Sequence, residues 1–289
     1  MTILVTGATG TVGREVVRRI DGRLPVRILA RTPRRVDGAG PSAEIVEGDY
    51  ADPDSLARAL RGVRTAFVVT NDVGGDDDAR FVRAAAAAGV RHLVKLSAAA
   101  VEDPCADDLI TRWQRGNEDL IRDSGLDWTF LRPRSFMSNS LGWASSIRAE
   151  GVVRGLYGAS ANACVDPRDI AEVALRALTE DGHAGRSYIL TGPGAISAVD
   201  QTAELSRVLG VPLAFVELTP SEQRERYLAR YPEPLAEALM QSARRQGDGA
   251  KARVTPVVEE VTGRPARPFA DWAADHAAAF AVPARTSGG

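Results

Sequence analysis

Residues 2–17 read TILVTGATGTVGREVV. The stretch joins a short apolar run, Thr2 to Thr6, to glycines at 7, 10 and 13, after which Val12, Val16, Val17 and Ile20 recur on one helical face. A buried strand, a glycine-rich turn and an amphipathic helix in that order aim free backbone N–H groups and the positive end of a helix dipole at one spot. That arrangement suits a diphosphate. Gly7 permits the tight turn, Gly10 lets the backbone approach a phosphate, and Gly13 lets the helix pack closely on the sheet. A plain structural turn could use the same residues, but the position at the head of a strand–helix series favours the nucleotide. No Gly-Lys-Ser/Thr follows, which excludes a P-loop.

The alternation continues outward. VRILA (26–30), EIV near 45, TAFVVT (65–70), HLVKLS (92–97), DWTFLRP (127–133) and GRSYILTG (185–192) read as further strands. Helices fall between them: one from Pro53, capped by Asp52 and stopped by Gly62; one through Phe81, Val82 and Ala85; one from Asp108 to Ser124; and one from Pro167. Such regular alternation requires right-handed crossovers, so the expected class is α/β with a doubly wound, mostly parallel Rossmann-like sheet.

Residues 136–163 break the period and read as substrate-side loops. Further on, Thr219, Pro220 and Glu222 form a capping-box pattern, and Phe269, Trp272, His276 and Phe280 line up as a packing stripe on one final helix. The expected division is an NAD(P)-binding domain over 1–192, a smaller C-terminal α/β lid capping the substrate over 193–280, and a flexible tail over 281–289.

Composition narrows the function. The 289 residues are 44% hydrophobic and 26% charged, an ordinary globular balance. Basic and acidic residues, 36 against 38, nearly cancel, which argues against a nucleic-acid partner. With no long apolar run, and a first strand that begins at residue 2 without a leader, neither a membrane nor export is expected, and the location expected is cytoplasmic. Cys105 and Cys164 lack metal-ligand spacing, so no metal and no disulfide framework is expected.

The second strand bears on the choice of dinucleotide. An NAD site usually ends that strand with Asp or Glu to hold the ribose hydroxyls. Here the region reads ILARTPRR (28–35), and Arg31 stands where the acid would be, a cationic fork suited to a 2′-phosphate. NADP(H) is therefore favoured over NAD(H).

In order, TGATGTVG (6–13), LARTP (29–33), GDYADPDSLARALRGV (48–63), KLSA (95–98), SGLDWTFLRPRSFMSN (124–139), VDPRDIAEVAL (165–175) and YILTGP (188–193) resemble the NmrA-like atypical short-chain dehydrogenases/reductases. The chain is most similar to the bacterial NAD(P)H-dependent quinone or azo-type oxidoreductases of that group. The resemblance implies that Gly7, Thr9, Gly10, Thr11, Val12 and Gly13 bind the pyrophosphate and Arg31 the adenosine phosphate. It places Asp49 and Tyr50 beside the adenine, Thr70 and Asn71 beside the ribose and diphosphate, and Pro133 to Phe136 along the nicotinamide.

Lys95 is one of only two lysines, the other being Lys251, and it sits in an apolar strand. A buried ammonium needs an anionic or hydrogen-bonding partner, so either a cofactor hydroxyl or a structural carboxylate is expected beside it. The Tyr/Lys pair typical of short-chain reductases is missing; the corresponding helix reads ITRWQRGNEDLI (110–121), with Trp113, Gln114, Asn117 and Glu118. A quinone, azo or enone acceptor can take hydride directly, needing alignment more than a proton donor. Ser97 and Gln114 are then the expected catalytic contacts to an acceptor oxygen, and Trp113, Met137, Asn139 and Trp143, with Phe136, the walls of a substrate pocket. Two alternatives stay open: a non-catalytic NAD(P) sensor of the NmrA type, and a non-redox isomerase or cyclase with Glu118 as acid–base group. The partner expected is a small molecule, with a homodimer left open.

Overall fold

Why one glycine-rich turn organises the chain becomes clear from a computed structural model, which describes residues 2–20 and 22–281. In chain order the elements are β1 (Thr2–Thr6), α1 (Thr11–Ile20), β2 (Val26–Ala30), β3 (Glu44–Glu47), α2 (Pro53–Leu60), β4 (Val63–Val68), α3 (Asp77–Ala87), β5 (His92–Leu96), α4 (Leu109–Arg122) and β6 (Asp127–Pro133). They continue as α5 (Ala144–Glu150), β7 (Val152–Gly155), α6 (Pro167–Thr179), β8 (Arg186–Leu190), α7 (Ala198–Leu209) and β9 (Ala214–Glu217). Five helices close the described residues: α8 (Pro220–Leu228), α9 (Glu233–Gly247), α10 (Val257–Thr262), α11 (Phe269–Asp275) and α12 (Ala277–Phe280). Of the tail assigned to 281–289, residues 282–289 lie outside the described residues.

The chain forms two units. The first takes residues 1–134, 167–191 and 255–265; the second takes 135–166, 192–254 and 266–289. A single cut at 192 thus coincides with only one of the places where the chain passes between them.

The first unit is a seven-stranded parallel sheet in the order β3-β2-β1-β4-β5-β6-β8. Its inner strands are buried almost end to end, as sheets covered on both faces are, while the edge strand β3 (EIVE) is largely exposed and carries Glu44 and Glu47. One face packs α2, α3 and α4 through Leu56, Leu60, Phe81, Val82 and Ile121. The other face carries α1 and α6, joined by Arg19, whose Nε donates to Glu172 at 3.2 Å and whose Nη1 donates to Glu15 at 2.7 Å. The strand order reverses between β1 and β4, and open parallel sheets bind ligands beyond the carboxyl ends of strands at such a point.

In the second unit, β7 and β9 pair in parallel, and Met137, Val153, Cys164, Leu205, Phe269 and Trp272 belong to its core. Neither strand was expected, because each has four residues and no alternation. The expected final helix is two helices, α11 and α12, broken at His276. The aromatic stripe survives the break: Trp272 stacks on His276 at 4.4 Å and meets Phe280 edge-on at 6.3 Å.

Candidate functional site: a glycine-lined cleft and a polar helix face

The turn after β1 is held by crowding at two glycines. Gly7 has φ +65°, in the left-handed region, and a Cβ there would lie 2.8 Å from the Cβ of Val69, just beyond β4. A Cβ on Gly13 would stand 2.2 Å from the Gly7 carbonyl oxygen, so α1 rests on the turn itself. Gly10 differs: its Cβ would meet nothing closer than that same oxygen, at 3.2 Å. The first α1 amide with a helical partner is that of Arg14, which donates to Gly10 O at 3.2 Å. Thr11, Val12 and Gly13 precede the ladder, and helix N–H groups in that position seek acceptors outside the helix. Val12 offers only its backbone, its side chain being buried.

A cleft of about 170 Å³ opens at this turn. Among the expected cofactor residues, Gly7, Thr9, Gly10, Arg31, Asp49, Tyr50 and Asn71 line it. The sequence reading missed Asp77 and Gly48, which also line it. Gly48 has a legible signal, a glycine at the end of β3: a Cβ there would collide with Ser55 and Leu29. Asp77 lay in GGDDD, which read only as a polar loop. Burial, with Asp72 and Asp49 nearby, holds its carboxyl above the usual range. Tyr50 is a wall of the cleft: its hydroxyl donates to Val69 O at 2.8 Å, its ring meets Phe81 edge-on at 5.9 Å, and burial pushes its phenol upward. Asp49 Oδ1 accepts from the Ala51 amide at 2.8 Å.

Thr70 and Lys95 do not lie along this cleft. Lys95 is fully buried, its Nζ 2.8 Å from Asp78 Oδ1 and 2.5 Å from the Thr70 hydroxyl oxygen. Thr70 in turn donates to Asp78 Oδ2 at 2.6 Å. The β5 ammonium thus has a structural carboxylate, supplied by α3, beside it. Thr70 is engaged in the same cluster. Burial pulls the Lys95 pKa down, and Asp78 opposes it.

Past β5, Ser97 donates its hydroxyl proton to Glu118 Oε1 at 2.6 Å, so that proton is not free for an acceptor oxygen. Glu118 is fully buried and gripped by Arg132, whose Nε donates to Oε1 at 2.9 Å and whose Nη2 donates to Oε2 at 2.5 Å. Arg122 donates to the same carboxylate at 2.8 Å. Both oxygens of this carboxylate are thus engaged within the protein.

Earlier on the same helix three buried polar atoms have no partners. Trp113 Nε1, Gln114 Oε1 and Asn117 Nδ2 are buried without a hydrogen bond, and Gln114 and Asn117 are only 9% and 8% exposed. The sequence reading named Asn117 but gave it no role, since nothing in a sequence separates an unpartnered amide from a solvated one. Pro133 ends β6 and is buried in the first unit. In the second unit Phe136 is half-buried and bridges Val165, Asn139 is exposed, and Trp143 packs half-buried against the core. Met137, expected on a pocket wall, is a core residue there, 2% exposed and packed in the cluster that contains Ile147, Cys164 and Trp272.

Residues 7–181 match the family model described as NAD(P)H-binding. The chain belongs to the NAD(P)H-binding family. The first of its relatives is the (4-alkanoyl-5-oxo-2,5-dihydrofuran-3-yl)methyl phosphate reductase of Streptomyces griseus, 61% identical over 96% of this chain and 99% of that protein. A second is the NAD(P)H azoreductase of Xenophilus azovorans, 38% identical over 96% and 99%. In fold, this NAD(P)H-binding chain is similar to an NADPH-dependent quinone oxidoreductase of Escherichia coli solved with NADPH, with a TM-score of 0.83 at 24% identity over 94% and 99% of the two chains. The protein is an NAD(P)H-dependent reductase. Its cleft fits the cofactor: free amides at the α1 terminus, a Gly10 that a side chain would crowd, and a cation at the end of β2 where NAD sites carry an acid. No helix among the described residues is long and apolar enough to cross a membrane.

Proposed function

We propose that this reductase prefers NADPH and reduces the ring double bond of an alkanoyl-substituted unsaturated lactone, of the kind named for its Streptomyces griseus relative. The bound cofactor would supply a hydride. The observation that carries the reading is the composition of α4: it offers neutral amide and indole groups where short-chain reductases place a Tyr/Lys pair. A ketone would become a strongly basic alkoxide and need a proton donor at once. In an acyl lactone, the double-bond carbon next to two carbonyls spreads the new charge over both oxygens, and water is acid enough to complete the reaction.

In this reading Thr9, Gly10 and the first α1 amides hold the diphosphate. Arg31 meets the 2′-phosphate, Asp49 and Asn71 border the adenosine, and Tyr50 closes the adenine side. Pro133 borders the nicotinamide. Ser97 serves as a positioning residue through Glu118, and Gln114 Oε1 accepts from the water that delivers the proton. Quinones and azo compounds, equally planar and electron-poor, would be turned over by the same alignment.

The experiment compares NADPH oxidation with a 3-alkanoyl butenolide, a benzoquinone, an azo dye and a simple ketone. Turnover of the butenolide with the highest kcat/KM, and none of the ketone, is the expected result. A kcat/KM for the ketone equal to that for the butenolide would refute it.

A further inference from the structure

Three of the buried side-chain atoms without partners sit within five residues on α4: Trp113 Nε1, Gln114 Oε1 and Asn117 Nδ2. Residues 113 and 117 are one helical turn apart and share a face. Buried donors are ordinarily paired, because an empty one forfeits its hydration without return, so two on one face call for an acceptor that the protein itself does not provide. Both are N–H donors. Trp113 has a further peculiarity: the Lys95 ammonium lies 5.6 Å from its ring centroid. A cation over the π face draws electron density from the indole and makes its N–H a better donor. The lysine is kept in place by Asp78 and Thr70, so this polarisation is built into the fold.

We infer that Trp113 Nε1–H and Asn117 Nδ2–H form an oxyanion site for the two carbonyl oxygens of the acceptor, replacing the missing Tyr/Lys pair. The inference rests on the acyl-lactone reading above and supplies its electrostatics. A hydride adds to the ring carbon β to both carbonyls, and the π pair of the double bond moves onto the adjacent carbon and the two oxygens. The cofactor is oxidised by two electrons, the lactone is reduced by the same two, and a proton from water on the α carbon leaves a saturated acyl lactone. Charge appears on the oxygens only during this step. Donors that are already desolvated therefore act on the transition state more than on the bound substrate.

A 3-acyltetronic acid tests the site without turnover: it is a planar acyl lactone that carries the enolate charge at neutral pH. Its binding to the NADP⁺-saturated protein is measured by calorimetry, against the neutral saturated acyl lactone, for wild type, Asn117→Ala, Asn117→Gln and Trp113→Phe. Binding of the tetronate should weaken at least about 10-fold in Asn117→Ala and Trp113→Phe and recover in part in Asn117→Gln. The neutral lactone and NADPH should bind as in wild type, which also shows that the variants fold. Butenolide turnover should fall about 100-fold in kcat with KM nearly unchanged. Wild type binding the tetronate no tighter than the neutral lactone, or variants losing both ligands equally, overturns the oxyanion site. If the tetronate is selected through these two residues while only quinones are turned over, the lactone reading fails and the oxyanion site stands.

Discussion

The Lys95 ammonium lies 2.8 Å from the Asp78 carboxylate with neither group exposed to water, linking the middle of the sheet to the first turn of α3. The low dielectric strengthens their attraction but makes either charge alone expensive. Asp78→Asn should destabilise the protein by about 3–5 kcal/mol, because it strands a buried ammonium. Replacing both, as Lys95→Met with Asp78→Leu, should recover most of that loss. Chemical denaturation of the single and double variants checks this; a double variant no more stable than the single one would contradict it.

Gly10 and Gly13 separate binding from folding. Gly13→Ala places a methyl 2.2 Å from the Gly7 carbonyl oxygen, a backbone atom that cannot yield, so both Tm and cofactor binding should fall. Gly10→Ala meets only a 3.2 Å contact, and its Tm should change little while NADPH affinity drops at least about 10-fold, since the methyl enters the cleft. Thermal melts beside calorimetry with NADPH distinguish the two cases.

Arg31 is exposed at the rim of the cleft, with no acidic residue at the end of β2. Arg31→Ala should weaken NADPH binding about 10- to 100-fold, the value of a charge-assisted hydrogen bond, and leave NADH nearly unaffected. The ratio of kcat/KM for the two cofactors is the measurement, and a preference that survives the substitution would rule this role out.

Asp77 links cofactor binding to pH. Its carboxyl is already raised by burial and by the neighbouring Asp72 and Asp49, and an anionic ligand in the same cleft raises it further. Binding then takes up a proton, so NADPH affinity should increase as pH falls through the raised Asp77 pKa and level off below it. Asp77→Asn should flatten the profile and bind at least as tightly as wild type at neutral pH. Calorimetric titrations with the acid-stable NADP⁺, from neutral pH downward through the acid range, would show this.

Ser97 holds Glu118 in place and has no proton to spare for substrate. Ser97→Ala should therefore lower Tm, costing about 0.5–1.5 kcal/mol for the lost hydrogen bond, and keep kcat within about threefold. A 100-fold loss of kcat with an unchanged Tm would return Ser97 to the catalytic role that the sequence first implied.

The sequence by itself determined whatever depends on neighbours along the chain. The glycines at 7, 10 and 13, the Asp52 and Thr219 caps, and the period of α1 and α4 report local backbone geometry, and all of these are found where expected. Alternating strands and helices then constrain the handedness of crossovers, so the parallel sheet was legible too. Tertiary structure decided the rest. Lys95 finds Asp78, Glu118 finds Arg132, and β7 finds β9 only because the fold brings distant segments together. Whether a polar side chain in α4 is solvated, paired or left without a partner depends on what packs over it. Local propensity carries no record of that, and it is why Met137 read as a pocket wall while Asn117, named on the same helix as Trp113, was given no role.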